Sequence, residues 1–137
     1  MRSLIAGFLL AMAFFQTVNS AVSAEPNLLA MPGEYHGVIW SAGTNLPSTT
    51  TFFLEKSGRV TGEYRFLERD GKETIGTLQP CVAINVRRIT CQWNDLYGMG
   101  SLEMLFSTGF TSFRGQWRAL GEEGRGRKWT GRKELTT

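Results

Sequence analysis

From residue 34 onward, apolar and polar residues alternate in short segments, and turn-forming residues interrupt them about every ten positions. Period-two alternation bounded by glycine, asparagine, aspartate and serine is the signature of half-buried strands joined by hairpins. The pattern predicts strands at 34–40, 49–55, 59–67, 73–80, 87–94, 98–106, 112–120 and 127–133. The connections KSG (56–58), RDGK (69–72), NDLYG (94–98), STGFT (107–111) and GEEG (121–124) suit hairpins. Residues 25–33 read as an irregular lead-in and 134–137 as a frayed end.

Alternation also sorts side chains by face. In 59–67, Val60, Gly62, Tyr64 and Phe66 share one face, and Arg59, Thr61, Glu63 and Arg65 the other. In 112–120, Phe113, Gly115, Trp117 and Ala119 oppose Arg114, Gln116 and Arg118. The two segments form a quasi-repeat, VTGEYR and FRGQWR, with partial copies in WTGR (129–132) and HGVIW (36–40). A glycine on the inward face, one step from a large ring, suits a strongly coiled or closed sheet, where the missing side chain makes room for the ring.

Eight sequential hairpin strands with one apolar face predict an all-β, antiparallel up-and-down meander closing into a small barrel. A two-layer sandwich is the competing architecture, but it usually needs longer crossings than this chain provides. GEYHGVIW followed by STTTFFLEKSGRVTGEYRF resembles the opening of the avidin and lipocalin class of eight-stranded barrels, in which a G-x-W/Y strand leads to a hairpin ending in T-G-x-Y. The resemblance covers residues 33–67, with a weaker echo at 112–132. It implies the architecture and carries over no binding residue. The hydrogen-bonding and tryptophan positions that hold biotin in avidins do not align, and the long first loop and C-terminal helix of lipocalins have no counterpart.

The start of the chain changes the picture. One basic residue (Arg2), an apolar run from Leu4 to Phe15 and the small-residue exit Val22-Ser23-Ala24 read as a cleavable secretory signal over residues 1–24. The run is shorter than the roughly 18–20 residues that cross a bilayer, so no stable membrane anchor is expected. Removing 24 of the 137 residues leaves 113, residues 25–137, enough for one domain. The expected destination is a bacterial periplasm or the cell exterior. There Cys81 and Cys91 are expected to oxidise to a disulfide. A hairpin centred on Val86 sets Cys81 opposite Cys91 and Val82 opposite Thr90, and puts Ile89, Cys91 and Trp93 on one face.

Charge and candidate chemistry narrow the function. Of 15 lysines and arginines only Arg2 lies in the leader, which leaves 14 bases against 12 acids. So small an excess says little about partners. By alternation Arg114, Arg118, Lys128 and Arg132 form an outer basic patch, able to touch a polyanion, on the face opposite Trp117 and Trp129. Nucleic-acid grooves need bases and aromatics on one surface, so no nucleic-acid partner is expected.

A nucleophilic hydrolase needs a base beside its nucleophile. The only histidine, His36, alternates with Val38 and Trp40. Glu55, Glu63 and Glu103 alternate against apolar residues and face water, and Asp95 falls in a turn. No catalytic residue, metal ligand or cofactor is assigned. The candidate ligand-binding residues are Trp40, Tyr64, Trp93, Trp117 and Trp129, each of which core packing alone would also explain.

The leading expectation is an exported binding protein. It would hold a small apolar, aromatic or sugar-like ligand in the barrel mouth, or a macromolecule on its rim. The alternative is an inhibitor or immunity-type protein that docks on a protein partner through NDLYGMG (94–100). A hydrolase on the same scaffold ranks third.

Overall fold

The structure, a computed structural model, describes residues 28–134; the leader expected at 1–24 lies outside the described residues. After a short 3-10 turn at Leu28–Ala30 come eight strands: β1 (Gly33–Ser41), β2 (Thr44–Leu54), β3 (Val60–Leu67), β4 (Glu73–Ala83), β5 (Arg88–Asp95), β6 (Gly98–Phe106), β7 (Ser112–Ala119) and β8 (Arg127–Lys133). Each pairs antiparallel with the next, and β8 returns to β1, closing the barrel. The meander expected from the alternation is the fold. No helix among the described residues is long and apolar enough to cross a membrane.

The interior is built from rings set against glycines. Phe52 pairs with Gly62, Tyr64 with Gly76, Trp93 with Gly100, Trp129 with Gly115 and Phe113 with Gly131. All five glycines are buried. A Cβ at Gly76 would lie 2.2 Å from Tyr64 Cζ, and one at Gly131 2.5 Å from Phe113 Cε1. The ring of one strand thus occupies the volume that a side chain of its neighbour would need, and a barrel this narrow fills with large aromatics.

Two strands run longer than their alternation predicts. β2 begins at Thr44 rather than 49, because Ala42 (φ 49°) and Gly43 (φ 80°) form a two-residue turn that pairs Ser41 with Thr44. Pro47 fits within it because it pairs with Val38 of β1, ahead of the first β2–β3 pair, Ser48 with Phe66. β4 continues past Pro80 to Ala83 through a bulge between Leu78 and Cys81. The bulge moves the inward phase from even to odd positions. It brings Cys81 opposite Cys91 and Val82 opposite Thr90, the register read from the sequence, and the two cysteines form a disulfide.

The two ends of the barrel differ. At one end Tyr35, Phe52, Phe106, Phe110 and Phe113 form a cluster of contacting rings. The Tyr35 hydroxyl donates to the carbonyls of Met31 (2.7 Å) and Phe110 (2.9 Å), tying the lead-in and the β6–β7 turn across the opening. Met31 and Phe110 are buried there. This end is sealed. The other end carries the turns at 42–43, 68–72, 96–97 and 120–126, and it is open.

Candidate functional site: an aromatic recess at the barrel mouth

Below the open end lies a recess of about 70 Å³ whose walls include Tyr64, Phe66, Trp93, Asp95, Trp117 and Trp129. The inward phase of each strand delivers them. β3 contributes Tyr64 and Phe66, β5 contributes Trp93 and Asp95, and Trp117 and Trp129 come from β7 and β8. The rings pack as two edge-to-face pairs: Tyr64 with Trp129 (centroids 4.7 Å, 70°) and Trp93 with Trp117 (5.5 Å, 87°). Such pairs add about 0.5–1.5 kcal/mol each beyond their buried area, so the wall is stiff.

Each of the three indole N–H groups is already committed. Trp93 Nε1 donates to the Arg118 carbonyl, Trp117 Nε1 to the Trp40 carbonyl and Trp129 Nε1 to Thr50 Oγ1, all at 3.0 Å. The tryptophans therefore offer an incoming molecule ring surface and no free indole donor. The carboxylate of the recess is Asp95, beside the hydroxyl-bearing Ser41 and Tyr97. Its Oδ2 accepts the Tyr64 hydroxyl at 2.7 Å and its Oδ1 accepts the Tyr97 backbone N–H at 2.8 Å. Burial, reinforced by the bond to the Asp95 carboxylate, pushes the Tyr64 phenol well above its ordinary pKa. Tyr64 therefore stays a donor at neutral pH. At the rim the Tyr97 hydroxyl donates to Glu68, which raises the Tyr97 phenol as well. Neither Asp95 nor Glu68 is ion-paired; the salt bridges among the described residues join His36–Glu34, Arg118–Glu103 and Arg127–Glu122.

Arg127 stacks on Trp117 without lining the recess. Its guanidinium carbon sits 4.6 Å from the centroid of Trp117, and its nitrogens donate to Glu122 at 2.6 and 2.8 Å. That fork, with the Ala119 backbone N–H, holds the exposed Glu122 carboxyl down at about 2.

Four of the five aromatic candidates thus converge: Tyr64, Trp93, Trp117 and Trp129. Trp40 does not. It lies on the outward phase of β1 and is 39% exposed, because the inward phase there is Tyr35, Gly37 and Ile39. Its contribution to the recess is its backbone carbonyl. His36 is also outside, 2.9 Å from Glu34, and Glu55, Glu63 and Glu103 face solvent as their phase predicts.

The outer basic patch needs a similar correction. Arg114, Lys128 and Arg132 are exposed, but Arg118 turns back to the Gly124 carbonyl (2.6 Å) and toward Glu103 (3.6 Å). The separation of bases from tryptophans fails at Arg127, which shares the inward phase of Trp129 and Gly131. Asp95 was legible by the same rule, as the next position after Cys91 and Trp93. Its reading as a turn residue hid it. No protein-family model matches the chain, and no curated protein or solved structure matches it either.

Proposed function

We propose that this chain is an exported binding protein that holds one end of a small ligand in the mouth of its barrel, in the manner of the avidin and lipocalin class. The observation that carries this reading is the asymmetry of the barrel ends. One is closed by Tyr35, Phe110 and Met31, while the other leads into a stiff aromatic recess containing a carboxylate. Small barrels that bind do so at such mouths, with convergent aromatic walls and few polar groups. Three tryptophans in the wall supply the assay. Titration with sugars, aromatic compounds and amines, followed by intrinsic fluorescence, is expected to shift the emission for one class, and Trp93→Phe to reduce the response. A spectrum that no class moves would sink the reading.

A second reading rests on a different observation. The β5–β6 hairpin turns in two residues, and its tip exposes Leu96 (67%) and Tyr97 (62%). A rigid, protruding apolar tip suits insertion into a protein partner, as an inhibitor or immunity-type protein would require. Leu96→Ala is expected to weaken such a partner and to leave small-molecule titrations unchanged.

A further inference from the structure

We propose that the ligand end seated in the recess is an organic cation, a primary or quaternary ammonium head group, held against Asp95 and the surrounding rings. The inference rests on the mouth-binding reading and narrows it. The recess presents ring surface from three tryptophans and a tyrosine, with the indole N–H groups all turned to protein acceptors. Ring faces carry negative potential and attract cations, most strongly when water is excluded. Among the polar wall groups is the Asp95 carboxylate, and no lysine or arginine lines the recess.

An anion would meet that carboxylate with no compensating base. A sugar would need several donors; of those in the wall, Tyr64 OH and Tyr97 N–H are already bonded to Asp95, which leaves the single Ser41 hydroxyl. Asp95 has no cationic partner among the described residues, and of the wall rings Trp117 alone already carries a cation, from Arg127. Asp95 and Glu68 stand at the mouth without a basic partner among the described residues, so local charge favours an incoming positive group.

Two further observations agree. Arg127 already shows a cation resting on a ring of the same cluster, 4.6 Å from Trp117. Size sets the rest: about 70 Å³ holds a small head group, whereas pockets enclosing whole drug-sized ligands run to roughly 300–1,000 Å³. The remainder of the ligand would project past Tyr97 into solvent.

The test compares choline with its uncharged carbon isostere, which has the same skeleton with carbon in place of the ammonium nitrogen. Both are titrated into the full mature protein by calorimetry and tryptophan fluorescence. Choline is expected to bind at least about tenfold more tightly than the isostere, the step that about 1.4 kcal/mol of cation–ring and carboxylate attraction provides. Asp95→Asn is expected to erase that preference while leaving weak binding of the isostere. Because the wild-type comparison needs no variant, a poorly folding Asp95→Asn cannot blur the outcome. The exposed Glu68→Gln is expected to lower choline affinity by a smaller factor. Equal or tighter binding of the isostere, or binding of sugars in preference to choline, would overturn the cation inference and leave mouth binding standing. If no probe of any class binds, mouth binding itself falls.

Discussion

A missing methyl group governs much of this barrel at the scale of single residues. A Cβ at Gly62 would lie 2.9 Å from the Thr51 carbonyl, and at Gly115 2.9 Å from the Trp129 carbonyl; both obstacles are backbone. Gly62→Val and Gly115→Val are each expected to cost about 1–3 kcal/mol, the usual range for overpacking, in chemical denaturation. Gly76→Val displaces the Tyr64 ring, so it should also disturb the ring that holds Asp95. Arg114→Ala, with an exposed side chain, is expected to change stability by no more than about half a kcal/mol. Arg118→Ala should cost more than Arg114→Ala, since it releases the Gly124 carbonyl. Tolerated valines beside damaging Arg114→Ala would mean that β7 is inside out.

The buried phenols add a pH dependence. Burial raises the pKa of Tyr35 and Tyr64 in the folded chain. The folded state keeps those protons while the unfolded state loses them near pH 10. Their contribution is therefore complete below about pH 10 and is lost as pH climbs toward the folded values. In an alkaline ultraviolet titration, phenolate absorbance from these two rings is expected to appear together with loss of the β-sheet circular dichroism. Phenolate signal from both at about pH 10, with the fold intact, would contradict their burial.

At the scale of elements, the disulfide joins the hairpin of β4 and β5 across a ten-residue separation. Closing so short a loop stabilises by about 2–3 kcal/mol in the chain-entropy model, so Cys81→Ser should lower thermal stability about as much as reducing the wild type does, with the β-rich spectrum retained. Two titratable thiols in the exported wild type would remove the staple.

All eight strands were legible because each buries alternate side chains against one interior. Alternation is a local signal, however, and it failed where the cause was distant. The strand expected from 49 begins at Thr44, and Pro47 fits within it because only β1 is beside that residue. The bulge after Leu78 shifts the phase in a way that only its pairing with β3 and β5 reveals. At the site, four of the five candidate rings line the wall, which also holds Phe66 and Tyr97. Alternation missed Asp95 and Arg127 because a residue at a strand end reads equally well as turn.

For the whole molecule, compartment and orientation are linked. We expect export to remove residues 1–24, and mass spectrometry of the exported protein to find Glu25 at its start; an intact Met1 would remove the oxidising compartment that the disulfide expectation assumed. Tyr35 pairs with Lys133 across the closing β1–β8 seam, so the first and last strands of the barrel begin and finish beside each other at the sealed end. Lys133 also donates to the Ala30 carbonyl there, with its ammonium 5.2 Å from the Tyr35 ring. A tether that continues directly from the start of β1 or the end of β8 therefore leaves from the floor of the cup. Immobilised that way on a sensor chip or displayed on a cell, every copy would present its mouth to the bathing solution.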